Sequence, residues 1–477
     1  MALIITQRPA YVECAPVGQQ IMFTVSDPPT VALKYKVKYV AEIHVSGNPI
    51  VLSFGTTTAA SPSYVGTFKT TPNNAGVGIF DIRNVLETFL KPDYKGSSES
   101  SFISAGKSHE EPPIHLINFF SLSDNSIKYY AINFYTESAP TPNDTDIVRS
   151  DAVPSPEFTI FNGVIQYDDE LTTHDGVFDG TTNNYGFDLY ASNGANLFLT
   201  NTTANFLTNA PTTQYARLTD YGTLPFLNYL PTTQDKVAFV TLTYYWDGGS
   251  STETISQTTV SGGASNYTGD SREKLMYFGA FPANLRGWST AFNTAITNGL
   301  THYEIYTSTS SVVGNSSATY TINILCPNER GYEGIRLTWL NQWGTWDYYT
   351  FNMKSTKSIA TKRTSYTQLG GTWNERQFKI AGYKGGKKNF RVNSTEKIKL
   401  NTDFVTEAEG VWFEELINSN EVYVLEGFQT DNPKSALNNY VTPATLTTSS
   451  YVKKTIANDK LMQYTFEIEK SKMKRTQ

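Results

Sequence analysis

Cysteine is nearly absent: Cys14 and Cys326 are the only two in 477 residues, far apart and in no CxxC pair. That excludes a disulfide scaffold and fits a chain made in a reducing cytoplasm. Charged residues reach only 17% of the sequence, against 39% hydrophobic. No run of eighteen apolar residues occurs, so no membrane-spanning helix is expected. The opening "MALIITQRPAYVECAPVGQQ" has no basic segment leading into a long apolar one, and no signal peptide is expected. The five histidines, His44, His109, His115, His174 and His302, nowhere fall at metal-ligand spacing. Asp168, Asp169, Asp175 and Asp179 cluster in "QYDDELTTHDGVFDG" but lack the ordered ligand pattern of a calcium loop. Neither a phosphate-binding glycine loop nor a nucleophile elbow stands in a strand-to-helix context. No catalytic residue, metal or cofactor is therefore expected, and the chain is not read as an enzyme.

What the chain has in quantity is tyrosine (30), phenylalanine (27), glycine (33) and proline (21). Aromatic and β-branched residues suit pleated, half-buried surfaces, and Gly and Pro punctuate short turns. The expected fold is mostly β: tandem β-sandwich domains, Ig- or fibronectin-like, and a C-terminal β-rich domain carrying a short helix. Residues 1–137 form the expected first sandwich, with alternating strands such as "LKYKVKYVAEIHVS". "FDIRNVLETFL" is expected to be a short helix with Asp81 near its N-cap. Residues 138–157 carry four prolines and few large apolar residues, which predicts a Pro-rich linker. Residues 158–328 form a second sandwich, with a hairpin turning at Asp247-Gly248-Gly249.

The third domain, 329–477, opens on "IRLTWLNQWGTWDYYTFNMK", three tryptophans in twenty positions. The pattern predicts a hairpin turning at "NQWGT", with Gly344 free to take positive φ. Ile335, Leu337 and Trp339 share a face of the first strand. On the second strand Trp346 and Tyr348 face one way and Tyr349, Phe351 and Met353 the other. Two apolar faces on one strand predict cover on both sides, by the domain or by a partner. Trp339, Trp346, Tyr348, Tyr349 and Phe351 are the candidate interface residues, with one face expected in the core and the other on a neighbour. Exposed Trp343, Trp346 and Asp347 would instead suit a sugar platform. Further on, Thr406 and Glu409 predict a capping box opening a helix near 406–418, with Val411, Trp412, Leu416 and Ile417 on one face. "GYKGGKKNFR" (382–391) reads as a flexible basic turn. Residues 1–350 hold 18 Lys+Arg against 31 Asp+Glu, and 351–477 hold 20 against 13. An acidic body with a basic end suggests complementarity between neighbouring subunits; a basic end touching nucleic acid and a chance distribution over solvated faces are the alternatives.

"GIRLTWLNQWGTWDYYTFNMK", the "KRTSY" after it and "LNTDFVTEAEGVWFEELINSNEVYVLEGF" resemble the C-terminal part of virion proteins from tailed phages of Bacteroidota, including crAss-like phages. "YVGTFKTTPNNAGVGIFDIRNVLETFLKPD", "FTIFNGVIQYDDE" and "FLTNAPTTQYARLTDYGTLPFLN" are similar to other segments of such proteins. The resemblance implies a structural part of the tail, neck or baseplate, located in the virion. It implies assembly as a cyclic homo-oligomer with other tail proteins as partners. It carries no catalytic residues. The alternative is a receptor- or glycan-binding tail module whose partner is a host surface glycan, and a tail-borne glycan hydrolase comes after that. Nucleic acid is not an expected partner.

Overall fold

The structure is a computed structural model. It describes residues 3–9, 15–52, 63–94, 114, 120–123, 125–164, 205–227, 237, 239–256, 274–308, 316–325, 331–426, 440–448, 450, 452 and 462–472. The chain is mostly β, with five short helices among the described residues. It divides into two compact units. The first comprises Met1–Leu325, Leu340–Asp347 and Gln429–Leu437; the second comprises Cys326–Trp339, Tyr348–Phe428 and Asn438–Gln477.

Among the described residues the first unit holds four sheets. β1 (Ile4–Gln7), β3 (Met22–Ser26) and β6 (Val77–Asp81) form a three-stranded sheet in the order β1-β3-β6. A seven-stranded sheet runs β2 (Ala15–Pro16), β11 (Phe158–Phe161), β8 (Ile127–Ala139), β4 (Tyr35–Ser46) and β5 (Tyr64–Thr70). Its last two strands, β9 (Val148–Arg149) and β10 (Val153–Pro154), also pair with β8. Alternate side chains of these two sheets make one core. Phe23 and Val25 of β3 and Phe80 of β6 meet Ala41 and Ile43 of β4, Ile132 and Phe134 of β8, and Phe158 of β11. Phe23 lies 5.7 Å from Phe134 and 5.6 Å from Phe158, ring to ring. This is the face-to-face packing of a sandwich. Two short helices flank it, α1 (Pro28–Leu33) and α2 (Arg83–Glu87). The N-cap position of α2 is Ile82, and Asp81 accepts from the Arg83 amide at 3.1 Å.

Two more sheets lie further along this unit. β12 (Thr213–Ala216), β18 (Tyr320–Ile324), β17 (Leu300–Ser308), β14 (Phe239–Trp246) and β15 (Gly249–Ser256) form one, in that order. β13 (Thr223–Leu227), β16 (Leu275–Gly279) and β7 (Phe120–Leu122) form the other. The β14–β15 hairpin turns on Asp247-Gly248, with Gly248 at φ 85° as that turn requires. Phe206 packs on Phe226 of one sheet and Tyr320 of the other. Helices α3 (Pro282–Arg286) and α4 (Thr290–Thr297) follow, and Phe292 of α4 packs on Tyr244 and Tyr303.

The expected boundary at 138–157 is corrected by these ladders. Residues 148–149 and 153–154 pair with β8, and β7 of the expected first domain pairs with β16 of the expected second. Two serines of the stretch act as backbone substitutes. Ser150 Oγ accepts from the Thr136 amide and Ser155 Oγ from the Ile132 amide, both at 2.9 Å. Arg149 then anchors the segment to Glu42 at 2.7 Å and Glu137 at 3.0 Å.

Glu137 gives this anchor a pH dependence. Burial raises its carboxyl, but hydrogen bonds and charge from Lys69 and Arg149 outweigh that, and the net shift is downward from 4.5. A depressed carboxylate contributes stability above its unfolded value, and the contribution is lost as pH falls through the folded value. Glu137→Gln is expected to flatten the acid limb of the melting-temperature profile below about pH 4.5. The effect should be at most about 1 kcal/mol, because Lys69 is 45% exposed and water screens it. An unchanged acid limb would contradict the assignment.

The second unit is one seven-stranded sheet in the order β20 (Trp346–Phe351), β19 (Ile335–Leu340), β23 (Val422–Leu425), β24 (Val441–Leu446), β25 (Thr465–Lys470), β22 (Gly386–Asn401), β21 (Thr356–Gln368). The outermost residues of β19 and β20, Leu340 and Trp346–Asp347, count with the first unit. Helix α5 (Glu407–Asn418) covers one face. The predicted capping box is present: Thr406 accepts from the Glu409 amide and Glu409 from the Thr406 amide. The buried face differs from the expected one: Gly410, Trp412, Phe413 and Leu416 face inward, and Val411 is 55% exposed. No described helix is long and apolar enough to cross a membrane.

Candidate interaction surface

The five aromatics expected at an interface are packed inside the chain's own units. Trp339 stands 4.9 Å from Trp412 of α5. Tyr349 lies edge-on to Phe413 at 4.9 Å, and Phe351 packs on Phe413 and Phe466. Burial pushes the Tyr349 hydroxyl far up, and the nearby charges of Glu409 and Asp403 add to it. On the opposite face Tyr348 lies under the Arg336 guanidinium, 5.2 Å away, and Arg336 donates to Thr350 at 2.8 Å. Trp346 belongs to the first unit, where its indole donates to the Asp93 carbonyl at 2.8 Å. Trp339, Trp346, Tyr348 and Phe351 are all buried and Tyr349 is half-buried. Four of the five are therefore buried within the chain itself, and none stands out as an exposed contact residue. The sugar platform also fails: Trp346 and Asp347 are buried, and Trp343 is half-buried with its indole on Asn209.

The hairpin turn has its own polar framework in the first unit. Asn341 Oδ1 accepts from the amides of Trp343 and Thr345, both at 3.0 Å. Asp347 accepts from Thr208 at 2.6 Å and Asn341 at 3.0 Å. Each buried polar group is satisfied by a neighbour, as a structural network requires. Among the described residues no group of His, Cys, Asp or Glu is arranged to hold a metal. His44 is buried against Ser63, and burial lowers its pKa; His302 stacks on Tyr245 at 4.7 Å. His109, His115, His174, the acidic 168–179 loop and both cysteines lie outside the described residues.

The exposed surface lies elsewhere, on an arm. β21 and β22 form one long antiparallel ribbon, Thr356–Gln368 against Gly386–Asn401. Among the described residues only its base is held on a second side, by Lys397–Asn401 pairing with β25. Beyond that base, residues 386–396 pair with β21 alone, a reach of roughly 35 Å at about 3.3 Å per residue. β21 is exposed from Thr356 to Thr367. The tip, 369–385, carries Trp373 at 86%, Phe378 at 63%, Ile380 at 84% and Tyr383 at 77% exposure. Its chain is ordered by local bonds: Thr372 donates to the Gln377 carbonyl and accepts from the Lys379 amide. Gly385 and Gly386 sit at φ 89° and 73°, so the basic glycine run closes the turn and starts β22.

The arm also concentrates the charge. Residues 356–401 hold 11 Lys+Arg and 2 Asp+Glu, leaving 27 against 42 for the rest of the chain. Residues 402–477 alone hold 8 against 11, so the basic end is the arm and not the terminus. Among the described residues no carboxylate pairs with Lys362, Arg363, Arg376, Lys379, Lys384, Lys387, Lys388 or Arg391. A lone two-stranded ribbon is marginal in water, and covering each large apolar tip residue would stabilise by roughly 1.5–3 kcal/mol. Exposed apolar side chains rimmed by charge mark an interaction surface. No protein-family model matches the chain, and no curated protein matches it.

Proposed function

We propose that the chain is a structural component of a tailed-phage virion, working through protein–protein interfaces in the tail, neck or baseplate region. The observation that carries this reading is the arm, a long ribbon projecting from a β framework, with Trp373, Ile380 and Tyr383 at its tip exposed. The resemblance of the 334–354 and 400–428 segments to such virion proteins points the same way. Both segments build the sheet and helix from which the arm extends. Burial of Trp346 and Asp347 leaves the glycan-platform reading without its surface. The test is protein mass spectrometry of density-purified virions of the encoding phage. Peptides of this chain are expected at a fixed copy number per particle. Recovery from the soluble lysate alone, with none in particles, would contradict the reading.

A further inference from the structure

The arm needs a partner that is acidic, has apolar groups between its carboxylates, and can lie along a ribbon. The chain contains such a surface. Residues 402–433 hold eight Asp+Glu and no Lys or Arg. Within them α5 turns its sheet-facing side inward through Trp412, Phe413 and Leu416. Glu407, Val411 and Glu415 fall at i, i+4 and i+8, one stripe on the other side of the helix. Glu407 is exposed, Val411 is 55% exposed and Glu415 is half-buried. Phe404, just before the helix, is 54% exposed. The stripe is thus acidic with an apolar centre, and the arm tip is basic with an apolar centre. The arm's own α5 does not cover it, since the tip aromatics stand in water.

We infer that the arm of one copy docks on the outer face of α5 in a second copy of this chain. Lys379, Lys384, Lys387 and Lys388 meet Glu407 and Glu415, and Trp373 or Ile380 covers Phe404 and Val411. Arm and helix are different surfaces, so each copy gives an arm and receives one. Exchanged between two copies it closes a two-fold pair, and passed on from copy to copy it builds a ring or a filament. The aliphatic Ile380 and Leu369 at the tip favour a protein over nucleic acid, whose bases would stack on the aromatics alone. So does the excess of acids over the rest of the chain, which repels phosphate. The inference deepens the virion reading by naming the partner, and it rests on that reading only for where assembly takes place.

The experiment is a charge swap on the full chain, read by light scattering after size exclusion in low salt. One variant carries Lys384→Glu, Lys387→Glu and Lys388→Glu; the other carries Glu407→Lys and Glu415→Lys. The wild type is expected to form oligomers that dissociate as salt rises. Each variant alone is expected to be monomeric, with self-affinity lowered at least tenfold. Mixing the two is expected to restore association, because the acidic arm of one meets the basic helix of the other. Circular dichroism and melting of each variant confirm folding, Lys387 and Lys388 being solvent-exposed and Lys384 half-buried beside Tyr383. Zero-length carboxyl–amine cross-linking of mixed light and heavy-isotope chains should join arm lysines to Glu407 or Glu415 between copies. A wild type that stays monomeric at every concentration overturns the inference. So do a mixture that fails to associate and an arm that binds a single-stranded oligonucleotide without self-association. Self-association through the arm in a chain absent from virions would overturn the virion reading and leave this inference standing. A chain present in virions with its arm on another protein would do the reverse.

Discussion

Trp339→Ala is expected to destabilise the second unit by roughly 3–5 kcal/mol, the usual loss when a large aromatic is removed from a packed core. Trp339 is fully buried and stacks at a tilt on Trp412, which in turn lies beside Phe413 and Tyr349. Removing its ring opens a cavity between sheet and helix, and α5 loses the surface it is pinned to. The indole nitrogen of Trp339 has no hydrogen-bond partner among the described residues. Trp339→Phe should therefore keep most of the stability, since it deletes a donor that contributes no bond. Urea unfolding of the two variants, followed by circular dichroism, checks both statements. A loss under about 1 kcal/mol for Trp339→Ala would mean that α5 is held by something other than this aromatic stack.

Gly344→Ala is the second large effect. Gly344 turns the 335–354 hairpin at φ 70°, a conformation that costs other residues about 1–3 kcal/mol. A Cβ there would also stand 1.5 Å from the Asn162 carbonyl oxygen, so the Phe161–Val164 segment or the turn must move. Overpacking of that kind adds roughly 1–3 kcal/mol. Gly299 provides the control: it has φ 88° with open space around it, so Gly299→Ala carries the backbone cost alone. The melting temperature should fall clearly further for Gly344→Ala than for Gly299→Ala. Equal losses would mean that the close approach to Asn162 is relieved without strain.

Much of the fold could be read from local chemistry. The alternation in 35–46, the Asp247-Gly248 turn and the Gly344 turn each follow from one or two residues with few alternatives. The capping box at Thr406 and Glu409 is of the same kind. What was illegible depends on distant partners. The four prolines of 138–157 give it linker composition, and pairing with β8 is what turns Ser150 and Ser155 within it into backbone acceptors. Two apolar faces on the 335–354 strands announce cover on both sides, but composition cannot say whether helix or neighbour provides it. Val411 and Phe413 exchange places relative to expectation because Phe413 reaches Phe351 and Phe466, contacts set by the sheet. The arm shows the limit most clearly. A strand with no buried face has no reason to alternate, so "TKSIATKRTSYTQ" carries no period-two signal, and only the glycine turn of 382–386 marks it. The surface on which the functional account now rests is thus the part with the weakest sequence pattern.

The most direct test of that account is an electron-microscopy map of the virion at side-chain detail. It predicts copies of this chain in the tail, neck or baseplate, with Trp373 and Ile380 of each arm buried against α5 of the adjacent copy. A map that lacks the chain, or that shows the arms extended into solvent with the outer face of α5 bare, would contradict it.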